Sequence, residues 1–190
     1  MREPRTPVSA AHRALVDKTD AFERGVRERR ASDMACGPGC SGCCAEQLTV
    51  CDVEAELLRE GAASLDAAAL GRLGTRIEAL AHGAACVFLE GDGRCAVYAS
   101  RPLVCRTQGL PLRYPSGLIP IEAIRSGSRG AGDELTWCPL NFVERRPAAA
   151  DVLDAARLDT MLALSNRDAG GEGGRRTSLA DLGREAVARR

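Results

Sequence analysis

Residues 36 to 44 read Cys36-Gly37-Pro38-Gly39-Cys40-Ser41-Gly42-Cys43-Cys44, which places four thiols within nine positions. A thiolate is a soft ligand that suits zinc, copper(I) or the iron of an iron–sulfur cluster, and one such centre takes about four of them. The residues between the thiols are small or kinked. Glycine reaches backbone conformations with φ above zero and lets N–H groups come close to a charged metal–sulfur centre. A disulfide knot is a poorer account, because the adjacent Cys43 and Cys44 cannot easily bridge each other. A buried apolar role explains one or two cysteines but not four set among glycines. The stretch is therefore read as a ligand loop.

The rest of the composition makes such a loop structurally useful. Aromatic residues are only 3% of the 190, so the core has to be assembled from Ala, Leu, Val and a few Ile, and metal cross-links would help stabilise it. Acidic and basic residues balance at 26 each, which leaves no global field to attract nucleic acid or an anionic membrane. No apolar h-region follows the first residues, and no apolar run approaches a membrane span. The expectation is a cytoplasmic protein, where nine cysteines more often bind metal or act in catalysis than form disulfides.

Along the chain, Leu15, Phe22 and Val26 predict an amphipathic helix from Ser9 to about Arg30, with Ser9 as its cap and His12 on its surface. Its charged face reads as solvated. After the ligand loop, Asp52 is expected to cap a short helix that Gly61 stops, with Cys51 just before it as a small buried residue. Ser64 is expected to open a further helix carrying Leu65, Ala69, Leu73, Ile77 and Leu80 and ending near Gly83. His82 there reads as a partner of the helix dipole.

Cys86 and Cys95 fall on the two arms of a predicted hairpin around Gly91-Asp92-Gly93. Ser100 and Pro102 suit a helical turn that presents Cys105 inward. Arg101 and Arg106 either lower thiolate pKa values or pair with Asp92 or a nearby Glu. Extended segments are expected at Leu110 to Tyr114 and Leu118 to Ile124, then a flexible loop from Gly127 to Gly132. Cys138 follows the lone Trp137, which either shields a site or fills core volume. A last sizeable helix is predicted from Pro147 to about Asn166, a linker from Gly170 to Gly174, and a short helix capped at Ser178-Leu179-Ala180-Asp181.

With Cys51 set aside, eight thiols remain: Cys36, Cys40, Cys43, Cys44, Cys86, Cys95, Cys105 and Cys138. The Cys-x3-Cys-x2-Cys-Cys block, Cys86 with Gly91-Asp92-Gly93-Arg94-Cys95 and Tyr98, Arg101-Pro102-x2-Cys105-Arg106 and the distal Cys138 together resemble the YkgJ-type CxxCxxCC cysteine-cluster family. That family is described as zinc- or iron-chelating, or as carrying an iron–sulfur cluster. The first spacing is x3 where the family's label says x2. The resemblance implies that the eight thiols are the metal ligands and converge on the Cys36 to Cys44 loop. Flagellin lysine N-methylase, a larger enzyme, carries a related cluster, but none of its other parts is recognisable here.

Three functions compete on this reading. An iron–sulfur protein, with a 4Fe–4S cluster or two centres, is favoured on the family's description. A structural or chelating zinc protein is the alternative. A modifying enzyme using the metal as cofactor or scaffold comes third, since the chain has no Gly-rich nucleotide loop, Ser/His/Asp set or isolated carboxylate pair. The expected fold is mainly α, a small α+β domain with helices flanking an irregular cysteine-rich centre and one hairpin. The expected divisions are an N-terminal helix over 1–35, a metal-binding domain over 36–140, a helix packed on it over 141–168, and a linker with a short helix over 169–190.

Overall fold

The structure is a computed structural model that describes residues 8–37, 39–45, 47–80, 85–119, 129–130 and 134–189. The fold is α+β and mainly helical, as the sequence predicts. Its α-helices among the described residues are α1 (Ala10–Arg29), α2 (Asp52–Ala63), α3 (Ala67–Ala79), α4 (Leu103–Arg106), α5 (Ala155–Asp168) and α6 (Leu179–Val187). The strands are short: β1 (Thr49–Val50), β2 (Leu112–Arg113), β3 (Arg129–Gly130), β4 (Leu135–Trp137), β5 (Leu153–Asp154) and β6 (Thr177–Ser178). The chain divides into two compact units, the first of Met1–His12, Pro38–Pro102 and Ser165–Arg190, the second of Arg13–Gly37 and Leu103–Leu164.

In the first unit, β1 and β6 pair antiparallel with Val50 opposite Thr177. Val50, Ala55, Leu58, Ala62, Leu73, Val87, Phe88, Val97, Leu179 and Leu182 form its core. Burying side chains of this size contributes about 1.5–3 kcal/mol each, so Val87, Phe88 and Val97 firmly tie the segment bearing Cys86 and Cys95 to α2, α3 and α6. Gly183 lets α6 close on α3, since an added Cβ would stand 3.2 Å from Val87 and 3.3 Å from Ile77. In the second unit the sheet order is β3-β4-β2-β5, with β2–β5 parallel and the other pairs antiparallel. Its core gathers Val26, Met34, Leu110, Trp137 and Phe142. Trp137 is thus a core residue that fills volume beside Cys138.

Several expected boundaries move. Ser9 does cap α1, its Oγ accepting from the His12 amide at 3.1 Å. His12 itself is fully buried, which overturns its assignment to the surface: it shares a stripe with Val16, Thr19 and Val26 at helical spacing. Asp52 is the first residue of α2 and Cys51 its N-cap. The Asp52 carboxylate instead accepts from Arg175 Nε at 2.7 Å and from the Glu172 amide at 2.9 Å. Gly61 does not stop α2, which runs on to Ala63. An added Cβ at Gly61 would lie 2.4 Å from Ser100 Oγ, so close packing explains the glycine.

The helix expected from Ser64 starts later, because Asp66 is the better cap and accepts from the Ala69 amide at 2.7 Å. Its expected end at Gly83, and His82, lie outside the described residues. The C-terminal helix starts at Ala155 rather than Pro147. Leu153 is taken into the sheet opposite Leu112, and Asp154 caps α5 by accepting from the Arg157 amide at 2.9 Å. The apolar side expected for that helix is partly exposed at Met161. Of the extended segments, only β2 lies among the described residues of 110–124. The cap at Ser178 forms as expected, with Ser178 Oγ accepting from the Asp181 amide at 3.0 Å.

Candidate metal centre

Cys40, Cys43, Cys44, Cys51, Cys86 and Cys95 belong to the first unit. The ligand loop winds into a single 3-10 turn over Gly42–Cys44, closed by the Cys44 amide donating to Ser41 O at 2.8 Å. Facing it is the predicted hairpin in minimal form. One antiparallel bridge joins Leu89 to Cys95, and the Glu90 amide donates to Arg94 O at 2.7 Å. Asp92 accepts from the Arg94 amide at 3.0 Å, and Gly93 takes φ +80°, a conformation that favours glycine.

The loop is fastened to this turn at both ends. The Cys86 amide donates to Cys44 O at 2.8 Å. At the other end Gly93 lies so close to Gly39 that an added Cβ would stand 2.6 Å from Gly39 O. The two contacts hold the Cys43-Cys44 pair to the turn bearing Cys86 and Cys95, whose neighbours Val87, Phe88 and Val97 are in the core.

The protonated thiol is favoured at Cys43, Cys86 and Cys95. Cys43 and Cys44 share a hydrogen bond that, with burial, raises the Cys43 pKa well above that of an ordinary thiol. Burial pushes the Cys86 and Cys95 thiols up as well, and the Arg76 cation offsets part of that rise at both. Arg101 acts in the same direction on Cys43 and Cys95. Its guanidinium stacks 3.6 Å from the centroid of Tyr98 and donates from Nε to Tyr98 O at 3.2 Å. Arg106 does not share this role: it is buried in the second unit and pairs with Asp20, a partner the sequence reading did not name. Cys51 is set apart from the others. It lies buried against Glu54 and is pushed up to about 11 by that burial and by the neighbouring carboxylate, which makes it an inert thiol.

The second unit holds Cys36, Cys105 and Cys138. Asn141 organises it. Its Oδ1 accepts from the amides of Ala35 at 2.8 Å and Cys36 at 3.2 Å, and its Nδ2 donates to Cys36 Sγ at 3.2 Å and Gly109 O at 2.8 Å. The Asn141 amide donates to Cys138 O at 2.9 Å. Gly109 has φ +91°, and an added Cβ would be 2.8 Å from Cys36 Sγ. Cys36 and Cys138 are thereby linked through one side chain and its backbone, and Cys105 sits on α4, four residues before Gly109. Among the described residues no three Cys, His, Asp or Glu side chains are already drawn together around a metal position.

None of the nine cysteines is in a disulfide, and a donor set of thiols suits a soft or borderline metal. Sequence reading missed Arg76 and Asn141 as parts of these sites, whereas it did place Gly93 in the turn between Cys86 and Cys95.

The fold is a small, mainly helical one whose cysteines lie on short turns and loops. Residues 35–116 match the family model CxxCxxCC, described as "Putative zinc- or iron-chelating domain", so that segment is similar to this family. The matched segment takes in seven of the eight pattern cysteines and ends before Cys138. No curated protein and no solved structure matches the chain.

Proposed function

We propose that the chain is an iron–sulfur protein whose ligands are Cys40, Cys43, Cys44, Cys86 and Cys95 in the first unit and Cys36, Cys105 and Cys138 in the second. The observation that supports this reading is the double fastening of the Cys43-Cys44 turn to the Cys86–Cys95 turn, which brings two thiol-bearing backbone segments against each other at the edge of a packed core. Four thiolates match one 4Fe–4S cluster, and a full set of eight matches two centres or one with spare ligands.

Bound there, a cluster would supply one-electron transfer. The chain's own residues hold the thiols in place, shield Cys86 and Cys95 from water and set positive charge beside them. Zinc is the second reading, favoured by the family's description and by the same four-thiolate donor set. Protein purified without oxygen decides between them. A brown preparation with iron and sulfide in stoichiometric ratio supports the cluster, and a colourless one with zinc overturns it in favour of the second reading.

A further inference from the structure

We propose that Arg76 is a positioning residue for the metal centre, donating an Nη2 hydrogen bond to a sulfur of the Cys86 and Cys95 pair and balancing part of the centre's negative charge. The proposal rests on the metal-binding reading above. Arg76 reaches from α3 and is anchored by its Nε, which donates to Val87 O at 2.7 Å, one residue from Cys86. Nη1 stands 4.0 Å from Glu90. That carboxylate is already engaged by Arg72, whose Nε and Nη2 lie 3.0 and 2.9 Å from the same oxygen. Nη2 of Arg76 is buried and has no hydrogen-bond partner among the described residues.

A charged donor left unsatisfied in a protein interior is costly and points to an acceptor that the bare chain does not supply. A thiolate bonded to metal is such an acceptor, and a metal-bound sulfur commonly draws N–H donors that tune it. The charges agree. Four thiolates on a divalent metal, or on a doubly positive 4Fe–4S core, leave a net charge of about −2. Within the first unit Arg76 and Arg101 are the cations acting on these thiols from two elements, α3 and the segment after Tyr98.

Anaerobic cobalt(II) titration of the full chain tests this on the wild type, Arg76→Met, Arg76→Gln, Arg76→Lys and Cys95→Ser. The wild type is expected to show thiolate-to-cobalt charge-transfer absorption that weakens in Cys95→Ser. Arg76→Met should bind about 10–100-fold more weakly, the usual loss for a group that supports a ligand. Its charge-transfer band should move to lower energy, because a sulfur without its hydrogen bond gives up electrons more readily. Arg76→Lys should recover affinity over Arg76→Gln, and the gap between those two should narrow with added salt, which a purely structural role would not produce.

Wild-type affinity and band position in Arg76→Met overturn the proposal. Should Arg76→Met fail to fold, Arg76→Gln decides by the same two readouts. No charge-transfer absorption in the wild type would instead overturn the metal-binding reading itself.

Discussion

Gly93 shows how tightly single positions are specified. Its φ of +80° and the 2.6 Å between an added Cβ and Gly39 O leave no room for any side chain. Gly93→Ala is expected to lose at least about 1–2 kcal/mol from the backbone conformation alone, and to lower metal affinity because it lifts the loop off the turn. Thermal unfolding with and without metal separates the two effects. Among the thiols, Cys51→Ser should leave metal stoichiometry unchanged, whereas Cys43→Ser and Cys95→Ser should lower it, measured by elemental analysis of anaerobic protein. Equal loss in all three would show that burial beside Glu54 does not set Cys51 apart. Thiols were legible in the sequence because few side chains share their chemistry and four fell together. Arg76 and Asn141 were not, since an Arg on a helix and an Asn after Cys-Pro-Leu look ordinary until the fold brings them to a cysteine.

Helices were legible where an apolar stripe and a capping residue coincided, as in α1 and α6. Their boundaries failed where a distant partner intervened. Gly61 reads as a helix stop, yet it lies inside α2 because Ser100 packs against it. Alanine ordinarily favours a helix interior over glycine by about 1 kcal/mol. Gly61→Ala is nevertheless expected to destabilise the protein, and Gly61→Ala with Ser100→Gly to recover much of the loss, both read from denaturant midpoints.

A second distant partner ties the end of α1 to the short 3-10 turn Ala149–Asp151, where Arg30 Nε donates to Asp151 Oδ2 at 2.6 Å and Arg29 Nη2 to Oδ1 at 3.1 Å. Burial alone would raise the Asp151 carboxyl. The hydrogen bonds from Arg30 and Arg29 outweigh it and hold the group below its ordinary 3.8. A depressed carboxyl contributes stability that is fully present above that ordinary value and is lost as the pH falls through the lower folded one. Asp151→Asn should therefore lower the melting temperature at pH 7 and remove part of the acid dependence below pH 4. An unchanged acid limb would show that the pair contributes nothing.

With only 3% aromatic residues and its larger core divided between two units, the chain has little apolar reserve, and metal is expected to supply what is missing. A structural four-thiolate site contributes on the order of 10 kcal/mol of apparent binding energy at neutral pH. Removing metal under reducing conditions should lower the unfolding temperature by well over a few degrees, followed by circular dichroism. Equal melting of the two forms would refute it. The mainly helical class was legible from periodicity. The parallel pairing of β2 with β5 was not, since strands of two residues leave no alternation to read.

The first unit's core is completed by Leu179 and Leu182, which pack with Val87 and Phe88, and among the described residues β1 pairs with β6. On a ribosome advancing at about 5–20 residues per second, the stretch from Cys95 to Leu182 takes on the order of ten seconds to make. Throughout that interval the thiols of the first unit are attached to a nascent chain whose core is still incomplete. A metal donor would therefore meet these cysteines before the fold can close around them, and on the proposed function loading during synthesis would compete with loading of the finished protein.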